Sequence, residues 1–251
     1  MSTGVQTAVG RFVWHDLSTT DVDKAKSFYA QLFGWETEVF KPGEMDYPMI
    51  KANGQQHGGF GQAQPGMPSA WLGHVVVEDL DGVVEKVRSA GGAILGEPME
   101  IPEVGRFAIV RDPDGAVVSA FQPASEPWLP EGVFVWNELL TNDVDAAKRF
   151  YAEIFGWGAR DMEMGDAGSY TIFATGDADR AGCMKIQPGM QAPPSWTVYI
   201  GTDDVDASAA KAKELGGTVI VEPTDIPGNV GRFAIVLDST GAAFGLFKSG
   251  S

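Results

Sequence analysis

The amino-acid sequence contains two copies of one long segment. The phrase FVWHDL at residues 12–17 returns as FVWNEL at residues 134–139, and GRFA at residues 105–108 returns at residues 231–234. The offset between matching residues drifts only from 122 to 126 along the chain. A repeat of this length indicates a duplicated domain and not a solenoid of short units. The sequence therefore predicts domains at residues 10–121 and 132–248, joined by a proline-containing linker at residues 122–131.

Each copy also contains the same order of elements twice. A short β-like run precedes an amphipathic helix that begins at an aspartate, and further β-like runs follow. The predicted helix starts are Asp21, Asp79, Asp143 and Asp204. The sequence DPDG at residues 112–115 predicts a type I turn between antiparallel strands. The sequence therefore predicts an α+β fold built from four βαβββ modules.

Composition narrows the classes of partner and compartment. The formal net charge is −16, which repels phosphate backbones and anionic lipid, so neither nucleic acid nor a membrane is an expected partner. Cys183 is the one cysteine, so an intrachain disulfide is excluded and a reducing compartment is favoured. The first residues lack the pattern of a signal peptide, and no run of eighteen apolar residues occurs. We expect a cytoplasmic protein.

Several phrases resemble a known superfamily. They are TDVDKAKSFY at residues 20–29 with FGW at 33–35, EDLD at 78–81 and RDPDG at 111–115, together with their counterparts in the second copy. The chain resembles the vicinal oxygen chelate superfamily, which includes glyoxalase I, bleomycin-resistance proteins and extradiol dioxygenases, and in particular its two-repeat actinobacterial members. The resemblance implies two tandem glyoxalase-like domains, each a curved mixed sheet that encloses a cup for a small molecule. A fused pair of this kind implies a monomer or a homodimer.

The resemblance also assigns positions for a metal ion, and this sequence departs from the pattern there. The metal-dependent members carry histidine, glutamine or glutamate at the openings of two strands and glutamate in the last strand. The matching residues here are Trp14, Leu72 and Ser119 in the first copy, and Trp136, Thr197 and Gly245 in the second. None is a strong ligand for a divalent ion. We therefore expect no metal cofactor, with a displaced site for Fe, Zn, Ni or Mn as the alternative.

Polar residues occur two positions further along the same strands, on the same face. Asp16 and Glu138 follow the tryptophans, and His74 and Tyr199 follow Leu72 and Thr197. A carboxylate in an apolar cup needs a partner or becomes protonated. Backbone or arginine partners would give Asp16 and Glu138 a structural role. Otherwise Asp16, Glu138 and His74 are candidate catalytic residues or polar anchors for a ligand.

Aromatic and flexible residues complete the predicted ligand site. Strand alternation directs Trp14, Trp136, Phe121 and Phe247 into the cups, and Tyr47, Trp71, Tyr170 and Trp196 are expected near the rims. Met67 and Met190, in repeated PGM turns, are candidates for the cup mouths. Arg106 and Arg232 offer a cation to an acidic ligand or pair with surface carboxylates. His15 is expected to face the helices, His57 to lie in a loop, and Cys183 to act as a small hydrophobe in the place of Phe60.

These observations favour metal-independent binding of an apolar or aromatic small molecule, as in sequestration of an antibiotic or metabolite. One alternative is an enzyme of the superfamily, a lyase, isomerase or oxygenase that uses Asp16, Glu138 and His74. Another is a scaffold that binds partners through its outer surface. The resemblance by itself is specific for the fold and unspecific for the reaction.

Overall fold

The computed structural model describes residues 8–41, 46–127, 129–164 and 168–250. The first copy contains two modules. Module 1 comprises β1 (Phe12–Thr19), α1 (Val22–Phe33), β2 (Glu36–Phe40), β3 (Tyr47–Ala52) and β4 (Gln55–Gln62). Module 2 comprises β5 (Ala70–Val76), α2 (Leu80–Ser89), β6 (Ala93–Ile94), β7 (Met99–Ile101), β8 (Gly105–Arg111) and β9 (Val117–Pro123).

The second copy repeats this order. Module 3 comprises β10 (Phe134–Thr141), α3 (Val144–Phe155), β11 (Gly158–Glu163), β12 (Ser169–Thr175) and β13 (Ala178–Lys185). Module 4 comprises β14 (Ser195–Gly201), α4 (Val205–Glu214), β15 (Thr218–Ile226), β16 (Gly231–Leu237) and β17 (Ala243–Ser249). In the described part of the chain, no helix has both the length and the apolar character needed to cross a membrane.

The strands form two mixed sheets. The first has the order β2-β3-β4-β1-β5-β9-β8-β6, with β7 paired to β8, and the second has the order β11-β12-β13-β10-β14-β17-β16-β15. Within each module the first strand runs parallel to the last one, and the other pairs are antiparallel. The helix carries the chain from the first strand across to a strand at the sheet edge, and the antiparallel strands that follow bring the last strand back beside the first, parallel to it.

The helix starts predicted from the sequence are confirmed. The aspartate before each helix accepts a hydrogen bond from the backbone N–H three residues further on, which satisfies one donor of the first turn. Gly34 and Gly156 end α1 and α3 in the left-handed conformation, at φ 72° and 68°. The DPDG turn is also confirmed, because the Gly115 N–H donates to the Asp112 carbonyl at 3.1 Å.

Packing divides the chain into two compact units that differ from the sequence copies. Unit 1 contains the chain up to Trp14, Gly73–Leu129 and Trp136–Trp196, so it joins module 2 to module 3. Unit 2 contains His15–Leu72, Pro130–Val135 and Thr197–Ser251, so it joins module 1 to module 4. Each unit has its own hydrophobic core, to which both sequence copies contribute. Strand β9 extends through Pro123, so the first two residues of the predicted linker belong to a strand.

Strand β1 shows which face of the sheet each side chain occupies. Val13, His15 and Leu17 are buried, whereas Trp14 and Asp16 between them are half-buried. Leu17 packs in the core with residues of α1, so the face that carries Trp14 and Asp16 is the opposite one. We call the side of each sheet away from its helices the open face.

A hydrogen-bonded chain of Trp, Tyr and Asp runs through each core. In unit 1, Trp196 donates through Nε1 to the Tyr151 hydroxyl at 2.9 Å, and Tyr151 donates to Asp112 at 2.9 Å. In unit 2, Trp71 donates to Tyr29 at 3.0 Å, and Tyr29 donates to Asp238 at 3.0 Å. The prediction that Trp71 and Trp196 lie near cup rims is therefore wrong, because strand alternation turns both toward the helices.

Candidate functional site: carboxylate–tyrosine pairs on the open faces

The open face of module 3 in unit 1 carries a polar array of three side chains. Trp136 in β10 donates through Nε1 to the Tyr170 hydroxyl at 2.9 Å, and Tyr170 donates to Glu138 Oε2 at 2.8 Å. Burial, together with the negative charge of Glu138, holds the pKa of Tyr170 well above its ordinary value. The phenol therefore stays protonated and keeps donating to the carboxylate. Trp136 and Glu138 remain half-buried.

A glycine provides the space for this array. Gly182 in β13 lies opposite Glu138 in the parallel register. A Cβ atom at Gly182 would overlap the Tyr170 hydroxyl and would lie 2.8 Å from Trp136 Nε1. The tyrosine ring therefore rests directly over the backbone of β13, and only glycine permits that approach.

Module 1 in unit 2 carries the corresponding pair. The Tyr47 hydroxyl donates to Asp16 Oδ1, and Gly59, opposite Asp16 in the register of β1 and β4, lies beneath the tyrosine. Asp16 was expected to use backbone or arginine partners if structural, and one partner that sequence reasoning did not assign to it is the phenol of Tyr47. The signal in the sequence was the recurrence of Tyr47 and Gly59 at an offset of 123, as Tyr170 and Gly182. Sequence reasoning placed the tyrosines only near the rims.

The open face of module 2, also in unit 1, is mostly aromatic. His74 lies opposite Ser119 in the register, with Phe107 at 5.6 Å and Phe121 at 6.5 Å between ring centroids. Ser119 Oγ is buried and makes no hydrogen bond within the described residues. Trp14 and Phe121 both pack against a small apolar cluster in this unit. Phe121 alternates with Val118 and Ala120 of the core, and Trp14 alternates with the buried Val13 and His15, so both lie on the open face, as the alternation of strand residues predicted.

The open face of module 4, in unit 2, has a similar construction. Tyr199 lies opposite Gly245, and its ring covers the position that a Cβ of Gly245 would occupy. Phe247 pairs across the strands with Phe233. Tyr199 is buried, and Phe247 is half-buried. The predicted direction of Tyr199 and Phe247, away from the helices, agrees with the burial of Phe244 and Leu246 in the core.

The residues at the family's metal positions do not fit a divalent ion. Trp136 Nε1 is a donor that is already engaged with Tyr170, and an indole N–H offers no lone pair to a metal. The Tyr199 ring occupies the space over Gly245. Across residues 8–41, 46–127, 129–164 and 168–250, no three His, Cys, Asp or Glu side chains gather closely enough to hold a metal ion. Among the described residues, neither Asp16 nor His74 is therefore part of a group of three such ligands.

The predicted arginines lie on the helix side of their strands. Arg106 forms a two-point ion pair with Asp81 at the start of α2, at 2.9 and 3.1 Å. Arg232 pairs with Asp206 in α4 at 2.7 and 2.9 Å and with Asp225 at 2.8 Å. Of the two roles considered for these arginines, the structure shows pairing with surface carboxylates. Their positions alternate with the open face and share the opposite face with the buried Ala108 and Ala234.

The repeated PGM turns lie at the surface. Met67 is 58% exposed and Met190 is 43% exposed. Each turn is closed by a hydrogen bond from the methionine N–H to the carbonyl of the glutamine three residues earlier, at 2.9 and 3.0 Å. Large exposed thioether side chains remain candidates for ligand contact, because methionine adapts to irregular shapes.

The remaining residues considered from the sequence, His15, His57 and Cys183, are buried. His15 is buried and stacks on Phe134 at 4.2 Å, as expected of a residue that faces away from the open side. The expectation of a loop for His57 is wrong. It lies in β4, is 1% exposed, and contacts the Ala52 carbonyl through Nε2 at 3.1 Å. Cys183 is buried opposite Leu139, and burial raises the pKa of its thiol to about 12, which leaves it protonated and unreactive.

This architecture of four βαβββ modules on two mixed sheets defines the class of protein. The sequence pattern of the Glyoxalase/Bleomycin resistance protein/Dioxygenase superfamily matches residues 11–119 and 134–246, and the chain belongs to that family. The α+β fold class predicted from the sequence is confirmed.

Solved structures have the same fold. The Mn(II)-bound glyoxalase of Novosphingobium aromaticivorans has a TM-score of 0.66 at 18% identity, covering 96% of this chain and 82% of that one. The 2,2',3-trihydroxybiphenyl 1,2-dioxygenase of Sphingomonas wittichii has a TM-score of 0.67 at 15% identity, covering 97% and 91%.

Two groups of relatives match over nearly their full length. The protein named "Putative glyoxylase CFP32" of Mycobacterium tuberculosis is 39% identical over 246 residues, covering 94% of this chain and 93% of its own. The anthracycline biosynthesis protein DnrV of Streptomyces peucetius is 32% identical over 261 residues, covering 96% and 94%. The solved structures show the fold alone at their level of identity.

Proposed function

We propose that this protein binds a planar aromatic small molecule on its open faces without the metal ion of its relatives. The observation that carries the proposal is the Trp136–Tyr170–Glu138 array at the strand position where metal-dependent members hold their ion. An indole offers a flat apolar surface, and the carboxylate accepts a hydrogen bond from a phenolic hydroxyl. Relatives named for anthracycline biosynthesis, a polycyclic aromatic product, support this class of ligand.

A titration with an aromatic probe tests the proposal. We expect a hydroxylated anthraquinone to quench the intrinsic tryptophan fluorescence saturably in the full chain. Replacing Glu138 by Gln keeps a hydrogen-bond acceptor and removes its charge, and we expect it to weaken binding about tenfold, because a hydrogen bond to a charged group exceeds a neutral one by roughly 1–1.5 kcal/mol. Glu163→Gln, at the exposed end of β11 in the same module, is the matched control and should bind normally.

Two outcomes contradict the proposal. One is the absence of saturable quenching by any hydroxylated anthraquinone or smaller phenol. The other is equal weakening by Glu138→Gln and Glu163→Gln, which would indicate a general effect of acidic charge. Stoichiometric Fe, Zn, Ni or Mn in untagged protein, lost on Glu138→Gln, would replace this proposal with the displaced metal site.

The phenol–carboxylate pair itself favours a second function, proton transfer by an enzyme of the superfamily. A half-buried carboxylate beside an indole and a protonated phenol is suited to accept a proton from a bound ligand, with Tyr170 as the nearest donor for its return. Turnover of the bound probe that Glu138→Gln abolishes with little change in binding would favour this enzyme over a binding protein.

A further inference from the structure

Strand β13 contains a bulge at Arg180. Phe173 pairs with Ala181 and Ala174 pairs with Asp179, so Arg180 is the extra residue between them. A bulge turns a side chain away from the regular alternation of a strand and is common beside functional sites. Arg180 Nε is buried and has no hydrogen-bond partner within the described residues. Burying an unpaired donor of a guanidinium is unfavourable, so this arrangement needs an explanation.

At the matching bulge in the first copy, the side chain of the extra residue has a hydrogen-bond partner. Ile50 pairs with Gly58 and Lys51 pairs with Gln56, which leaves His57 as the extra residue of β4. The His57 ring reaches the Ala52 carbonyl at 3.1 Å. The bulge is thus a common feature of both copies, but only the second copy uses it to bury part of a permanent cation. The difference points to a role specific to unit 1.

A second cation, Arg11, lies near the β12–β13 hairpin that carries Arg180, because it directly follows Gly10, whose backbone approaches Thr175 in that hairpin. Burial, and then the positive charge of Arg11, lower the pKa of Arg180 below its ordinary value. Among the ion pairs of the described residues, none includes Arg11 or Arg180. By contrast, Arg106, Arg160 and Arg232 each pair with one or two aspartates. Two neighbouring arginines that both lack an ion pair are unexpected in a chain with a net charge of −16.

A hydroxyl group lies beside the same segment. Thr175 Oγ1 is buried and, among the described residues, has no hydrogen-bond partner. It lies 2.8 Å from the position that a Cβ of Gly10 would occupy, directly before Arg11. Gly10 adopts φ 77°, and its carbonyl accepts a hydrogen bond from Trp157 Nε1 at 2.9 Å. The backbone that carries Arg11 is therefore fixed against Thr175 and Trp157.

We propose that Arg11, Arg180 and Thr175 form a binding site for a small oxyanion, a carboxylate or a phosphate monoester. The planar guanidinium matches the geometry of both groups, and a hydroxyl supplies a further donor. An anion would neutralise the repulsion between the two arginines and would satisfy the two buried polar atoms that lack partners. The site uses residues outside the carboxylate–tyrosine pairs and is independent of the function proposed above.

Thermal unfolding of the full chain tests the site. At constant ionic strength, replacing chloride by inorganic phosphate or by acetate should raise the Tm saturably, by about 2–4 °C, because a ligand that binds only the folded state stabilises it. A response to phosphate alone identifies a phosphate site, and a response to acetate alone identifies a carboxylate site. A saturable response to neither anion overturns the proposal.

Two substitutions separate this site from a general salt effect. Arg180→Met keeps an apolar stem and removes the half-buried cation with its unpaired Nε, so we expect a Tm in chloride no lower than that of the wild type, with the anion response lost. Arg106→Met removes an arginine that is already paired, and the response should persist. Retention of the response in Arg180→Met, or its equal loss in both variants, overturns the proposal. If Arg180→Met does not fold, Arg180→Lys must weaken the response at least severalfold, because lysine lacks the planar fork.

Discussion

At the scale of single residues, glycine decides where the polar groups of the open faces lie. Gly59 and Gly182 each lie under a tyrosine. The hydroxyl of that tyrosine reaches across the glycine strand to a carboxylate on the next strand of the sheet. The side chains of Asp16 and Glu138 differ in length, yet both find the phenol of their own module. The pairing therefore depends on the close approach of a ring to the backbone, which no other residue at these two positions would allow.

Gly59→Ala should separate Tyr47 from Asp16. The added Cβ would overlap the tyrosine hydroxyl, so the ring must move, and we expect a loss of roughly 1–3 kcal/mol in the free energy of unfolding. Chemical denaturation measures the loss. Gly61→Ala is a control in the same strand, because nothing lies within 4 Å of a Cβ at that position. Equal stability of the two variants would contradict the described position of Tyr47.

At the scale of elements, a buried polar chain joins one helix to one turn in each unit. Tyr151 in α3 donates to Asp112, which also accepts from the backbone N–H groups of residues 114–116 in and after the DPDG turn. Burial raises the pKa of Asp112 in spite of these hydrogen bonds. Tyr29, Trp71 and Asp238 repeat the arrangement in unit 2. A satisfied network of this kind fixes one relative position of helix and turn within each unit, because any other would leave buried groups unpaired.

Tyr151→Phe tests the contribution of this chain. Removing the hydroxyl leaves Trp196 Nε1 and one oxygen of Asp112 without their partner, and we expect a loss of about 1–3 kcal/mol in the free energy of unfolding. A double-mutant cycle with Asp112→Asn should give a coupling energy of at least about 0.5 kcal/mol. Additive effects of the two substitutions would indicate that the hydroxyl and the carboxylate act independently.

At the scale of the whole molecule, packing and sequence repeat follow different boundaries. The core of unit 1 combines Val75, Val110 and Val118 of the first copy with Leu139, Tyr151 and Phe173 of the second. The core of unit 2 combines the outer modules in the same way. A single copy therefore contains half of each core, and its helices expose apolar faces when the other copy is missing.

The two halves of the chain should depend on each other for folding. We expect residues 1–125 expressed alone not to form a folded monomer, and mixing with residues 126–251 should restore cooperative unfolding. Circular dichroism and size-exclusion chromatography measure this. A cut between Ser125 and Glu126 in the folded full chain is the control and should leave the halves associated. A half chain that unfolds cooperatively as a monomer would contradict the mixed cores.

The sequence by itself determined the duplication, the four modules, the helix starts and the face of Trp14 and Trp136, because repeats and strand alternation are local patterns. It also placed Asp16 and Glu138 correctly on that face. Only the tertiary structure decided that Tyr47 and Tyr170 pair with these carboxylates, that Trp71 enters the core, and that Arg106 faces a helix. Such contacts join residues distant along the chain, and they depend on register, bulges and backbone clearance, which local composition does not encode.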